Sequence, residues 1–221
     1  MQGSPHIVSD VMTHTVVAVG RDAPFKDIVK LIQQWKVSAL PVLEGEGRVI
    51  GVVSEADLLP KEEFRDSDPD RQTQMRRLPD LAKAGALTAG ELMSAPAVTV
   101  HADATLPEAA RIMALRKVKR LPVVNDVGML EGVVSRADLL KVFLRDDEEL
   151  AEEVRREVVD RLFPEAADHV RVEVAEGVVT LTGWVDGALP VTVVERLARA
   201  VEGIVDVQCH LSTAPARSDP Q

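Results

Sequence analysis

Ser54 and Asp57 place a hydroxyl three residues ahead of a carboxylate, and Ser135 and Asp138 repeat the arrangement. Each pair follows an apolar run and precedes a helix-like one. At such a junction the serine accepts a bond from the amide three residues on, and the acidic residue reaches back, so the pair caps the helix. The same atoms suit a ligand. A carboxylate accepts hydrogen bonds from vicinal hydroxyls such as those of a ribose, and the free amides at a strand-to-helix junction face a phosphate. Both readings stand at this point. The histidines (6, 14, 101, 169 and 210) lack metal-ligand spacing, and the Gly-x-Gly of "GEGRVIG" at 45–51 falls between strands rather than ahead of a helix. Nothing assembles a base, a nucleophile and an orienting group, so the sequence predicts a protein that is not an enzyme.

The elements around these pairs are themselves duplicated. "GVVSEADLL" at 51–59 returns as "GVVSRADLL" at 132–140, an offset of 81 that also relates Pro41 to Pro122, Met12 to Met93 and Asp22 to Asp103. Over 37–59 against 118–140 there are 13 identities in 23 gapless positions, so the chain holds two copies of one unit. Each copy reads as a strand ("TVVAV", "AVTV"), an amphipathic helix, a buried strand ("ALPVL", "RLPVV"), a second strand and a short helix. The helices carry apolar residues at helical spacing: Phe25, Ile28, Val29 and Ile32 in one, and Leu106, Ala109, Ala110 and Met113 in the other. Residues 60–87 match neither copy and read as a charged linker, partly helical around 71–84.

The last third follows a different plan. Leu150, Val154, Val158 and Leu162 recur every four residues, valines alternate at 170, 172 and 174, and Glu176-Gly177 makes a hairpin turn before Val179, Leu181 and Trp184. A second amphipathic helix, ended by Gly203, and a third strand through Cys209 complete an α-β-β-α-β order. Trp35 and Trp184 fall in apolar patterns and read as core or interface. Cys209, alternating with Val207 and Leu211, reads as a buried small residue rather than a nucleophile.

Composition narrows the partners. The 221 residues carry a formal charge of −10 and only 3% aromatics, so the core is aliphatic and neither nucleic acid nor an anionic membrane is a favoured partner. With one cysteine there is no intrachain disulfide. No basic stretch followed by an apolar run opens the chain, which predicts a cytoplasmic protein.

"VSALPVL…GVVSEADLL" and "VKRLPVV…GVVSRADLL" resemble tandem cystathionine-β-synthase (CBS) domains, a Bateman module, and "GVVTLTGWV" with "VEGIVDVQCHL" resembles a BON domain. The fold implied is α+β: two β-α-β-β-α CBS repeats packed as a pseudo-twofold pair, plus a small α-β-β-α-β BON domain. The corresponding division is 7–60 for repeat 1, 61–87 for the linker, 88–145 for repeat 2, 148–213 for the BON domain and 214–221 for a disordered tail. The resemblance implies a sensor that binds an adenosine-containing ligand (AMP, ADP or ATP) between the repeats as a regulatory ligand, requires no cofactor, forms a homodimer through the repeats and relays occupancy through the BON domain to an unknown protein partner. Carried over, one cleft uses Val17, Val37 and Ala39 with Arg120, Ser135 and Asp138. The weaker mirror cleft uses Val98 and Val118 with Ser54 and Asp57. Arg120 stands where the first copy has Ala39, and the resemblance implies a basic residue there that meets phosphate, so the Asp138 cleft is expected to favour phosphorylated adenosine. The alternatives are a ligand-free dimerisation scaffold and a regulator of a separate enzyme, with Ser-x-x-Asp acting only as cap. BON domains are associated with phospholipid, but 150–213 holds six Arg, no Lys and twelve Asp or Glu, which disfavours anionic lipid.

Overall fold

The computed structural model describes residues 6–65, 75–185 and 191–213. The chain divides into two compact units, 7–138 and 139–221 with the first six residues. The proposed tail and the middle of the linker lie outside the described residues.

In the first unit each copy builds a three-stranded sheet. In copy one, β1 (Val19–Gly20) pairs parallel with β2 (Ala39–Glu44), which pairs antiparallel with β3 (Arg48–Ser54). In copy two, β4 (Val100–His101), β5 (Arg120–Val124) and β6 (Leu130–Ser135) repeat that order. The helices Phe25–Trp35 and Leu106–Arg116 each end in a left-handed lysine, Lys36 and Lys117, at equivalent positions. Ile28 and Leu40 are fully buried in the first core, each burial being worth about 1.5–3 kcal/mol. Ala110 of the second helix is a correction to the expected core, while of the two readings of Trp35 the exposed position leaves the interface one. Ala110 is exposed on the helix's outer face, and Trp35, last residue of its helix ahead of the turn at Lys36, keeps 51% of its surface exposed.

The copies exchange their entry segments. The helix Val8–Val11 belongs to copy one in sequence, yet Val8 N donates to Ala104 O at 2.8 Å, and Thr13 and Val133 exchange bonds of 2.9 and 3.0 Å. Symmetrically, Ser94 and Val52 exchange bonds of 2.9 and 3.1 Å, and Ala89 and Leu92, of the helix Ala89–Leu92, are buried in the first core. The exchange shortens the first strands: the chain at 13–17 and 95–98 is crossing between sheets, so only two residues of each expected strand pair with their own copy. It also explains Gly51 and Gly132. A Cβ on Gly51 would lie 2.4 Å from Met93 Sδ, and one on Gly132 2.6 Å from Met12 Sδ, so each methionine of the exchanged segment lies across the other copy's bare backbone. The pseudo-twofold axis passes by the bridge of Arg48 to Met129, equivalent residues, where Val49 N donates to Gly128 O at 3.0 Å and Leu130 N to Gly47 O at 3.1 Å.

The second unit has an acidic helix Asp147–Val154 that passes through a π-helical turn, Arg155–Val159, into Asp160–Leu162. The wider turn lets Val158 and Val159 both reach the core, where strict fourfold spacing would turn one outward. Strands Val170–Ala175 and Val178–Val185 form the expected hairpin, with Glu176 and Gly177 both at positive φ, and Asp206–Thr213 joins in parallel after the helix Val191–Arg199. The Asp147 carboxylate accepts from the amides of Glu176 and Gly177 at 2.8 and 2.9 Å and pins the turn. Trp184 is half-buried and stacks on His169, centroids 3.9 Å apart.

Cys209 is half-buried against this core, and burial pushes its thiol above the ordinary range. The folded protein therefore holds less thiolate than the unfolded chain at any pH near 8. Iodoacetamide should alkylate Cys209 more slowly in the native protein than in denaturant, with the native rate still climbing at pH values where the denatured rate has levelled off. Equal rates in the two states would contradict this packing.

Candidate functional site

The register of each hairpin sets the chemistry at its end. Ala39 lies opposite Ser54 in copy one and Arg120 opposite Ser135 in copy two. In the first copy that cross-strand neighbour is a methyl group; in the second it is a guanidinium.

At the second end, Ser135 N and Oγ donate to Asp138 Oδ2 at 2.9 and 2.6 Å, and Asp138 N donates to Ser135 Oγ at 3.3 Å. The cap is therefore made. It engages one carboxylate oxygen. Arg120 reaches across the seam between the copies: Nη2 donates to Ser38 Oγ at 2.5 Å and Nη1 to Ala39 O at 3.5 Å. Burial pulls this guanidinium below its usual range while Glu55 and Asp138 pull it back, and an arginine there stays charged. Ala39, Arg120, Ser135 and Asp138, four residues expected in one cleft, are thus brought together. Its other two, Val17 and Val37, are half-buried and pack on the first core. The reciprocal contact is missing from the first copy because Ala39 has nothing with which to reach back.

The first end is built differently. Ser54 N and Oγ donate to Asp57 Oδ2 at 2.7 and 2.6 Å. Asp57 Oδ1 accepts from Lys83 Nζ, of the linker helix Leu78–Gly85, and from Ser94 Oγ at 3.4 Å. Asp57 is the one buried charged residue among the described residues. Val98, expected to face this aspartate, instead lines a cavity of about 410 Å³ with Ala97, Ile112 and Arg116 that includes neither Ser54 nor Asp57. Val118 is half-buried, and its carbonyl accepts from Arg136 Nη2 at 3.0 Å. A larger cavity, about 500 Å³, lies along the helix Leu106–Arg116 and also excludes both aspartates.

Sequence reasoning did not single out Ser38, Lys83 or Ser94. Ser94 arrives through the segment exchange. Lys83 lies in a stretch that matches neither repeat, so the offset that located every other site residue is silent there. A helical pattern around 71–84 was the one available signal.

The CBS domain family matches residues 8–61 and 89–145, and the BON domain family matches 146–215. An uncharacterized protein of Methanocaldococcus jannaschii is 28% identical over 160 residues, covering 65% of this chain and 95% of its own length. The chloroplastic CBS domain-containing protein CBSX2 of Arabidopsis thaliana is 28% identical over 155 residues, covering 63% of this chain and 64% of its own length. Among solved structures, CBSX2 in complex with AMP superposes with a TM-score of 0.56 at 30% identity, over 63% of this chain and 97% of that one. The CBS domain pair of protein MJ0100, in complex with 5′-methylthioadenosine and S-adenosyl-L-methionine, shares the fold at 17% identity and a TM-score of 0.51, over 63% of this chain and 96% of that one.

Proposed function

The chain belongs to the CBS-domain family, carrying a pair of CBS domains followed by a BON domain, and from that premise we propose that it is a non-enzymatic sensor of an adenine nucleotide, bound in the Asp138 cleft. The observation that carries this reading is the Arg120 guanidinium beside Ser135 and Asp138 at the seam of the two copies. A carboxylate suited to ribose hydroxyls and a forked cation suited to phosphate stand within one nucleotide's reach. The likeness to CBSX2, whose crystal structure is a complex with AMP, supports the choice of ligand class. Among the described residues the Arg120 guanidinium donates to a serine hydroxyl and a carbonyl, weak partners that a phosphate would outcompete.

In this reading the protein is cytoplasmic, the CBS pair dimerises, and ligand biases the state that the BON domain presents to a protein partner, by no more than its difference in affinity for the two states. Among the described residues no helix is long and apolar enough to cross a membrane. The scaffold reading has one observation in its favour, since Ser135 and Asp138 do form a helix cap. A thermal-shift panel of AMP, ADP, ATP, NAD and S-adenosylmethionine separates the two. A nucleotide at ~100 times its dissociation constant adds roughly 2.7 kcal/mol of stability, whereas a scaffold answers none of the five. With adenosine added to the panel, Arg120→Ala should abolish the advantage of AMP over adenosine. Equal preference before and after that substitution would remove Arg120 from the phosphate site.

A further inference from the structure

The two aspartates are equivalent in sequence, but their surroundings are not. Asp57 accepts four donors: Ser54 N and Oγ on one oxygen, Lys83 Nζ and Ser94 Oγ on the other. A carboxylate offers about four lone-pair sites, so this one has no acceptor left for a sugar hydroxyl. Its side chain is 10% exposed and that of Lys83 22% exposed, so the ion pair is largely shielded from water.

The helix that carries Lys83 is fastened in place. Lys61 Nζ donates to Ala84 O at 2.8 Å, while the same ammonium lies 5.3 Å from the centre of the Phe25 ring. Arg77, at the start of the helix, pairs with Glu63 of the helix Pro60–Glu63 and with Asp80 at 2.9 Å. Ala86, just past the helix, is buried in the first core. An ammonium held on so short a tether competes with a free ligand at high effective concentration.

We propose that Lys83 is an internal ligand that closes the Asp57 cleft to ribose, so that the module binds a single adenine nucleotide, in the Asp138 cleft. The proposal rests on the nucleotide-binding reading above and fixes its stoichiometry. Lys83 is a specificity-determining residue here: it replaces the sugar's two hydroxyls with one cation, and Ala39 supplies no second cation to draw a phosphate in against it.

Titration calorimetry of the full chain with AMP tests this, using the wild type, Lys83→Met, Lys83→Gln, Asp138→Ala and the Lys83→Met/Asp138→Ala double variant. One site in the wild type, two in either Lys83 variant, one weakened roughly 30-fold or more in Asp138→Ala and, beside that weakened one, one in the double variant is the expected pattern. Two sites in the wild type, or one site in both Lys83 variants with native melting curves, would overturn the closure and leave the nucleotide reading standing. No site in the wild type but one in Lys83→Met would overturn the Asp138 reading and leave the closure standing. No binding by any variant overturns both. A second readout needs no nucleotide: an amine-acylating reagent followed by mass spectrometry should modify Lys83 at least tenfold more slowly than Lys30, whose side chain is 73% exposed, since the packing around Lys83 and its bond to Asp57 keep the reagent from the amine. Equal rates would overturn the proposal.

Discussion

Replacing Asp138 by alanine is expected to weaken AMP binding by roughly 30- to 150-fold, the equivalent of about 2–3 kcal/mol for hydrogen bonds to a charged acceptor. The substitution removes the group proposed to hold the ribose hydroxyls and leaves Arg120 bonded to Ser38 and Ala39. It also removes a helix cap, but of a helix only four residues long, Arg136–Leu139, and a lost cap costs ~1 kcal/mol. The binding loss should therefore exceed the stability loss. Asp57→Ala should show the reverse: it strips a shielded ammonium of its partner and destabilises the fold, while the AMP titration stays as in the wild type. Titration calorimetry and denaturant melts of the two variants, side by side, check the contrast. Equal effects of the two substitutions on AMP affinity would mean that the clefts are equivalent.

The largest loss of stability is expected from Gly183→Ala in the BON domain. Gly183 has φ of +125°, and a Cβ built there would lie 1.9 Å from the backbone oxygen of His169 and 3.3 Å from the Cα of Val170. Unlike the methionines over Gly51 and Gly132, the obstructing atoms are backbone and cannot swing aside. Val170 is the residue paired with Gly183 across the hairpin, so relief requires parting the two strands. A cost of at least ~3 kcal/mol follows from the backbone strain and the clash together. Trp184 reports it directly, being stacked on His169 beside the obstruction. In a Trp35→Phe background, the urea midpoint of Trp184 fluorescence should fall sharply. A shift equivalent to less than ~1 kcal/mol would mean that the hairpin absorbs the methyl group and that the argument from Gly183 is wrong.

Much of this architecture was legible because it is written twice. The offset of 81 locates both Ser-x-x-Asp pairs, matches Met12 to Met93 and makes Arg120 the counterpart of Ala39 from the sequence alone. The α+β class, the CBS and BON resemblances and the turn at Glu176-Gly177 follow from patterns short enough to be read locally. What was not legible depends on which copy a segment joins. A repeat shows that 7–13 and 88–94 are equivalent, but not that each completes the other's sheet, so the strands at 15–19 and 97–100 looked longer than they are. Helical spacing alone put Ala110 in the core and left Trp35 as core or interface, though a residue ending a helix need not be covered. The pairing of Lys83 with Asp57 spans 26 residues and joins a repeat to a stretch outside it, where periodicity carries no information. The asymmetry of the clefts was thus half visible: the sequence displays Arg120 against Ala39, whereas the ammonium that closes the other end emerges only from the fold.

The central claim is that an adenine nucleotide lies across the seam with its ribose on Asp138. A crystal structure of the full chain grown with saturating AMP tests it most directly. The account predicts the ribose hydroxyls on the Asp138 carboxylate, the phosphate on Arg120 drawn off Ser38, and Lys83 still on Asp57. AMP seated against Asp57 with Lys83 displaced, or a cleft at Asp138 left empty by saturating nucleotide, would contradict it.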